Sequence, residues 1–186
     1  MDSYVTILSA QDDVLLTDIA LRFDPAVAEP KDVKHQLIIS AMDAADPLAA
    51  VLRWRCQLAG GGLARVDFVG HAVLGSKNGY GMHASNTGPV VLGVYNDKAC
   101  GLELIDALQY AYPRADLVVR FILCDGHEFP APFLADCLTR LRAFAPQATL
   151  LYTPEGVQLP EFGAAGFSAD NRLHVVSDGG ATMRVA

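Results

Sequence analysis

Two apolar runs in this 186-residue chain each stop on a side chain that can move a proton or attack a carbonyl. The first reads Arg-Val-Asp-Phe-Val-Gly from Arg65 and ends on His71. The second reads Leu-Val-Val-Arg-Phe-Ile-Leu from Leu117 and ends on Cys124, 53 positions after the histidine. A thiol near its ordinary pKa of about 8.5 is mostly protonated at neutral pH, and the thiolate is the nucleophile. An imidazole within reach supplies the base such a thiol needs. Gly70 before His71 and Gly126 after Cys124 let backbone amides approach a developing oxyanion without a Cβ in the way. Asp125, beside the thiol, suits either a basic substrate side chain or the capping of a turn.

Elements must bring the two groups together. Runs rich in Val, Ile and Phe that meet turn residues read as buried strands, and in open α/β sheets ligands bind beyond the carboxyl ends of strands. Strands are expected at Tyr4–Ser9, His35–Ser40, the His71 run, Pro89–Tyr95, the Cys124 run and Thr149–Thr153. Asp12–Phe23 fits helix or edge hairpin, and 25–32 reads as a loop. Asp46-Pro47 starts a helix that Gly60-Gly61-Gly62 ends. Lys98–Tyr112 is amphipathic through Leu102, Ile105, Leu108 and Tyr112, and Pro132–Phe144 through Phe133, Leu134, Cys137, Leu138, Leu141 and Phe144. The polar, Gly-rich stretch 75–88 reads as an exposed excursion or hairpin, and 173–185 as a terminal hairpin.

Strand and helix alternate at the spacing of right-handed crossovers. That predicts a single α/β domain over 1–186: a three-layer αβα sandwich with a mostly parallel sheet and helices on both faces. If the two runs are neighbours or next-neighbours, a strand spacing of about 4.8 Å puts both ends within reach of one substrate.

Composition narrows the classes. With 52% hydrophobic residues the chain can bury a substantial core. A formal charge of -7 with 14 scattered basic residues argues against nucleic acid as a partner. No stretch approaches the roughly 18 to 20 apolar residues of a membrane span, and no leader peptide is visible, so the expectation is a soluble, cytoplasmic protein. Cys56, Cys100, Cys124 and Cys137 are widely spaced, which favours reduced thiols, with Cys56, Cys100 and Cys137 serving packing. Cys124 and His127 with His71 and His83 suggest zinc ligands, yet only one closely spaced pair exists, so no metal is expected. Gly60-Gly61-Gly62 follows a helix and Gly79-Tyr-Gly81 opens none. No nucleotide fingerprint is present, and no cofactor is expected.

A hydrophobic strand into Gly-His, and a later strand ending in Cys about fifty residues on, resembles the caspase-like cysteine peptidases. The similarity is greatest to the bacterial branches: toxin-autoprocessing peptidases, gingipain-like enzymes and CHAT-type domains. It covers roughly Ala64–Gly156. The resemblance implies a caspase-like sandwich with His71 as general acid/base, Cys124 as nucleophile and a peptide or protein as substrate. Departures stand at Ala72, where the family has Gly after the histidine, and at Leu123, where it has a small residue before the cysteine. No Gln-Ala-Cys-Arg-Gly is present. Two functions are carried forward: a cysteine hydrolase, or an inactive interaction or effector domain on the same fold.

Overall fold

A computed structural model describes residues 3–9, 19, 34–38, 62–72, 79–83, 90–124, 129–157 and 172–185. The loop 25–32, the helix expected from Asp46, Cys56, and Asp125, Gly126, His127 and Glu128 lie outside the described residues, as does all of 12–23 except Ile19. The strands are β1 (Ser3–Leu8), β2 (Lys34–Ile38), β3 (Leu63–Ala72), β4 (Tyr80–His83), β5 (Val90–Tyr95), β6 (Lys98–Cys100), β7 (Pro113–Leu123), β8 (Thr149–Tyr152), β9 (His174–Val176) and β10 (Thr182–Arg184). Between β6 and β7 lies α1 (Leu102–Ala107), extended by a 3₁₀ turn over Leu108–Ala111, and between β7 and β8 lies α2 (Ala131–Phe144).

The protein is α/β, but its sheet is mixed rather than mostly parallel. Among the described residues, five of nine strand pairings are antiparallel. The parallel block runs β2, β1, β3, β7, β8, with β9 and β10 added antiparallel beyond β8. On the other side, β4, β5 and β6 form an antiparallel meander hung on the last two residues of β3.

Connection length accounts for four of the five antiparallel pairings. Parallel neighbours need crossovers of a dozen or more residues, and the β3–β4, β4–β5, β5–β6 and β9–β10 connections are too short for that, whereas 153–173 joins β8 to β9. The β5–β6 link is two residues, Asn96 and Asp97, with φ of 49° and 59°, the backbone of a tight hairpin turn. That turn also claims Lys98–Cys100 for the sheet, so the helix expected from Lys98 begins only at Leu102. Its apolar stripe ends at Ala111, and Tyr112 is exposed.

The central strands show why both runs are apolar almost throughout. Successive side chains on a strand point to opposite faces, and here both faces are covered. Val66, Phe68 and Ala72 of β3, with Val119, Phe121 and Leu123 of β7, pack into one cluster with Ile105 and Leu108, and with Phe133, Leu134, Cys137, Leu138 and Leu141 of α2. The α2 stripe is the one its sequence period predicts, with Phe144 half-buried against the cluster. Val69, Ile122 and Cys124 face the opposite side and pack with Leu8, Ile19, Val157 and Leu173. None of the described helices is long and apolar enough to cross a membrane.

On that second face the strand register runs Asp67 opposite Arg120 and Val69 opposite Ile122. Arg120 and Asp67 are almost fully buried and form a two-pronged ion pair, Nε to Oδ1 at 2.6 Å and Nη2 to Oδ2. Arg65 Nε approaches the same carboxylate at 3.4 Å. Removing one partner strands a buried charge. We therefore expect Asp67→Asn to lower unfolding free energy by about 3–5 kcal/mol in a denaturant titration, and Asp67→Leu with Arg120→Met to recover most of it.

Candidate functional site

His71 and Cys124 come together. His71 is the penultimate residue of β3, and Cys124 directly follows β7, its neighbour in the sheet. Gly70 pairs with Leu123, and the Cys124 N–H donates to the Gly70 carbonyl at 3.0 Å, so the register continues one step past the strand. The imidazole Nδ1 lies 3.1 Å from the thiol Sγ. At that distance a proton on sulfur can pass to nitrogen without either side chain moving far. Both residues are nearly enclosed, His71 at 6% and Cys124 at 5% exposure.

Three strand ends support the pair. Ser9, just beyond β1, donates its N–H to the Val69 carbonyl at 2.9 Å and its hydroxyl to the His83 carbonyl at 2.7 Å. His83 is buried and stands directly opposite His71 in the antiparallel register of β3 and β4. On the far side of β7, the Thr153 hydroxyl accepts the Leu123 N–H at 2.9 Å.

The downstream flank of Cys124 is anchored at Phe129. Its ring lies 5.1 Å from Phe121, 5.7 Å from Phe133 in a stacked pair and 6.0 Å edge-on from Tyr152. It also lies against Gly81, whose φ of +115° and missing Cβ leave room for Phe129 Cε1. Part of the Gly-rich excursion is thus a packing surface.

The remaining expected site residues divide. Gly70 and Ala72 are buried strand residues. A Cβ on Gly70 would fall 2.1 Å from Met82 Cγ and 2.7 Å from Ser9 Oγ, so the glycine there makes room for close packing of β4 and β1. Ala72 packs into the core at 3% exposure and pairs with Met82. Asp125 and Gly126 lie outside the described residues. Among the described residues no three His, Cys, Asp or Glu side chains are grouped to hold a metal ion.

Sequence reasoning misses Ser9, Thr153, Asp67 and Arg120, although a signal for them is present. Asp67 precedes His71 by four positions and Arg120 precedes Cys124 by four, opposite charges at matched places in two apolar runs. Ser9 and Thr153 each close an expected strand, as His71 and Cys124 do.

Cys137 is the control thiol. It is fully enclosed in α2, and burial, first, with Asp136 nearby, pushes its pKa far up.

Comparison with family models, with curated proteins and with solved structures finds no match to this chain.

Two outcomes follow from these environments. Gly70→Ala has to displace Met82 and Ser9, and a stability loss of about 1–3 kcal/mol is expected by chemical denaturation. Cys137 stays protonated when folded but ionises when unfolded, so its contribution is complete below about pH 8.5 and is lost as pH rises above it. Stability curves of the natural chain and Cys137→Ala should therefore run parallel at pH 6 to 8 and diverge above, the natural chain falling more steeply.

Proposed function

We propose that the chain is a cysteine-dependent hydrolase with a caspase-like αβα sandwich, acting on a peptide or protein. The observation that carries this reading is the 3.1 Å approach of His71 Nδ1 to Cys124 Sγ across the carboxyl ends of neighbouring parallel strands. A buried cysteine kept only for packing needs no imidazole against its sulfur. Cys137 shows what such a residue looks like in the same core.

In this reading His71 takes the Cys124 proton as sulfur attacks the scissile carbonyl carbon. The tetrahedral oxyanion collapses, the C–N bond breaks, and His71 gives its proton to the leaving amine. Water, deprotonated by His71, then attacks the thioester and releases the acid, returning the thiol. The Cys124 N–H already donates to Gly70. The reading therefore assigns the oxyanion to amides around Gly126 and not to that one.

A second reading keeps the same fold as an interaction domain without turnover. The near-complete enclosure of both side chains, and the alanine after the histidine packed into the core at 3% exposure, favour it.

One experiment separates the two. For the hydrolase, a thiol-directed electrophile followed by mass mapping should modify Cys124 ahead of the other cysteines, and His71→Ala should slow that modification about 10²-fold or more. Cleavage of an unstructured polypeptide should vanish in Cys124→Ala. Equal, slow modification of all four thiols, with the polypeptide left intact, would leave only the interaction domain.

A further inference from the structure

Strand β8 ends one residue short of where the sequence pattern carries it, and the reason lies in the turn that follows. Pro154 has no N–H to give a ladder and favours the second position of a turn. Thr153, Pro154, Glu155 and Gly156 form that turn, closed by the Gly156 N–H on the Thr153 carbonyl at 3.1 Å, with Gly156 at φ 70°. The chain therefore leaves the sheet while β7 still has two residues to satisfy before the thiol.

Those residues are satisfied by substitutes. The Thr153 N–H makes the last regular bond, to the Phe121 carbonyl at 3.1 Å. Beyond it, the Leu123 N–H goes to the Thr153 hydroxyl at 2.9 Å, and the Leu123 carbonyl accepts from the Val157 N–H at 2.8 Å. Thr153 and Val157 are both fully buried, so no water competes for these groups. Leu123 is the residue on which Cys124 hangs. On its other side the next peptide is held by the Cys124 N–H on Gly70.

We propose that Thr153 is a positioning residue for the Cys124 thiol: its hydroxyl stands in for the missing β8 backbone and holds the end of β7 where sulfur meets His71. This rests on the hydrolase reading above. Without the hydroxyl, the Leu123 N–H is a buried donor with no acceptor, and the strand end must shift to find one. Leu123 is joined to the sulfur through a single peptide, the one held by Val157 and Gly70, so a shift of the strand end alters how Cys124 approaches His71.

The test is the pH profile of Cys124 alkylation in the full chain, read by mass mapping with iodoacetamide. His71 contacts the thiol and His83 pairs with His71 across β3 and β4, and neither is altered. With the natural chain, alkylation of Cys124 should persist well below about pH 8.5, the ordinary thiol pKa. Thr153→Val, of the same shape without the hydroxyl, should move the profile toward that of an ordinary thiol and slow alkylation at pH 6 by about tenfold or more. Thr153→Ser should restore the natural profile. If Thr153→Val gives no cooperative unfolding transition, Thr153→Ala makes the same comparison.

A folded hydroxyl-free variant with the natural profile would overturn the inference, as would Thr153→Ser behaving like Thr153→Val. Failure of both hydroxyl-free variants to fold would assign Thr153 to the core alone and also overturn it. An ordinary profile in the natural chain would sink the dyad itself, and this inference with it.

Discussion

Everything at the carboxyl edge of this sheet depends on the register between β3 and β7, and a buried ion pair pins that register. A slip of one residue would turn every side chain of one strand to the wrong face, placing Asp67 or Arg120 in the cluster under α2. A slip of two keeps the faces but sets a buried charge against Ile122 or Val69. The apolar residues alone discriminate weakly between registers two apart, since Val, Ile and Leu exchange places at modest cost. The buried carboxylate and guanidinium do not tolerate it. The separation of 53 residues that joins Asp67 to Arg120 is the same that joins His71 to Cys124. It is a register offset, repeated every second residue along one face. The charge pair and the His71–Cys124 pair are two rungs of one ladder.

The edge itself has a consistent chemistry. The parallel strands β1, β3, β7 and β8 each carry a buried polar or thiol residue at or just past the carboxyl end: Ser9, His71, Cys124 and Thr153. The bonds there step across the sheet, from Ser9 to Val69, from Cys124 to Gly70, and from Val157 to Leu123. Each strand end is thus held by its neighbour after regular pairing has run out. The antiparallel β4 closes the row by setting His83 opposite His71 and tying back to β1 through Ser9.

Much of this is legible in the chain before its structure, for physical reasons that also mark where legibility stops. The two central strands stand out because both faces are buried, which makes their runs apolar and sharply bounded. The α2 stripe stands out because its period is intact along the whole helix. The terminal hairpin expected over 173–185 is there as β9 and β10, but β4 and β6 do not stand out, because Lys98-Ala-Cys100 and Tyr80-Gly-Met-His83 are too short for a period to show, and because the left-handed turn at Asn96-Asp97 takes residues from an otherwise helical pattern. Gly70 carries a misleading signal. Glycine beside a histidine suggests an open backbone, whereas the space is filled by Met82 and Ser9, the second of which comes from far away in sequence. Thr153 has the pattern of one more strand residue, and only Pro154 after it hints that its side chain, not its backbone, finishes the ladder.

Cys137 and Cys124 differ in what holds their backbones. Both are buried, and burial by itself pushes a thiol up, as it does Cys137. At Cys124 the His71 imidazole lies against the sulfur, a contact that weakens steeply with distance. Desolvation, by contrast, changes little over a few tenths of an ångström. The distance between sulfur and imidazole therefore turns on how tightly two strand ends are held. Hydrogen bonds donated by Cys124, Leu123 and Val157, all outside regular strand pairing, hold those ends. Cys137 sits mid-helix, where the ordinary α-helical ladder carries the backbone and the thiol answers only to packing. The two cysteines are distinguished by their supports rather than by their burial.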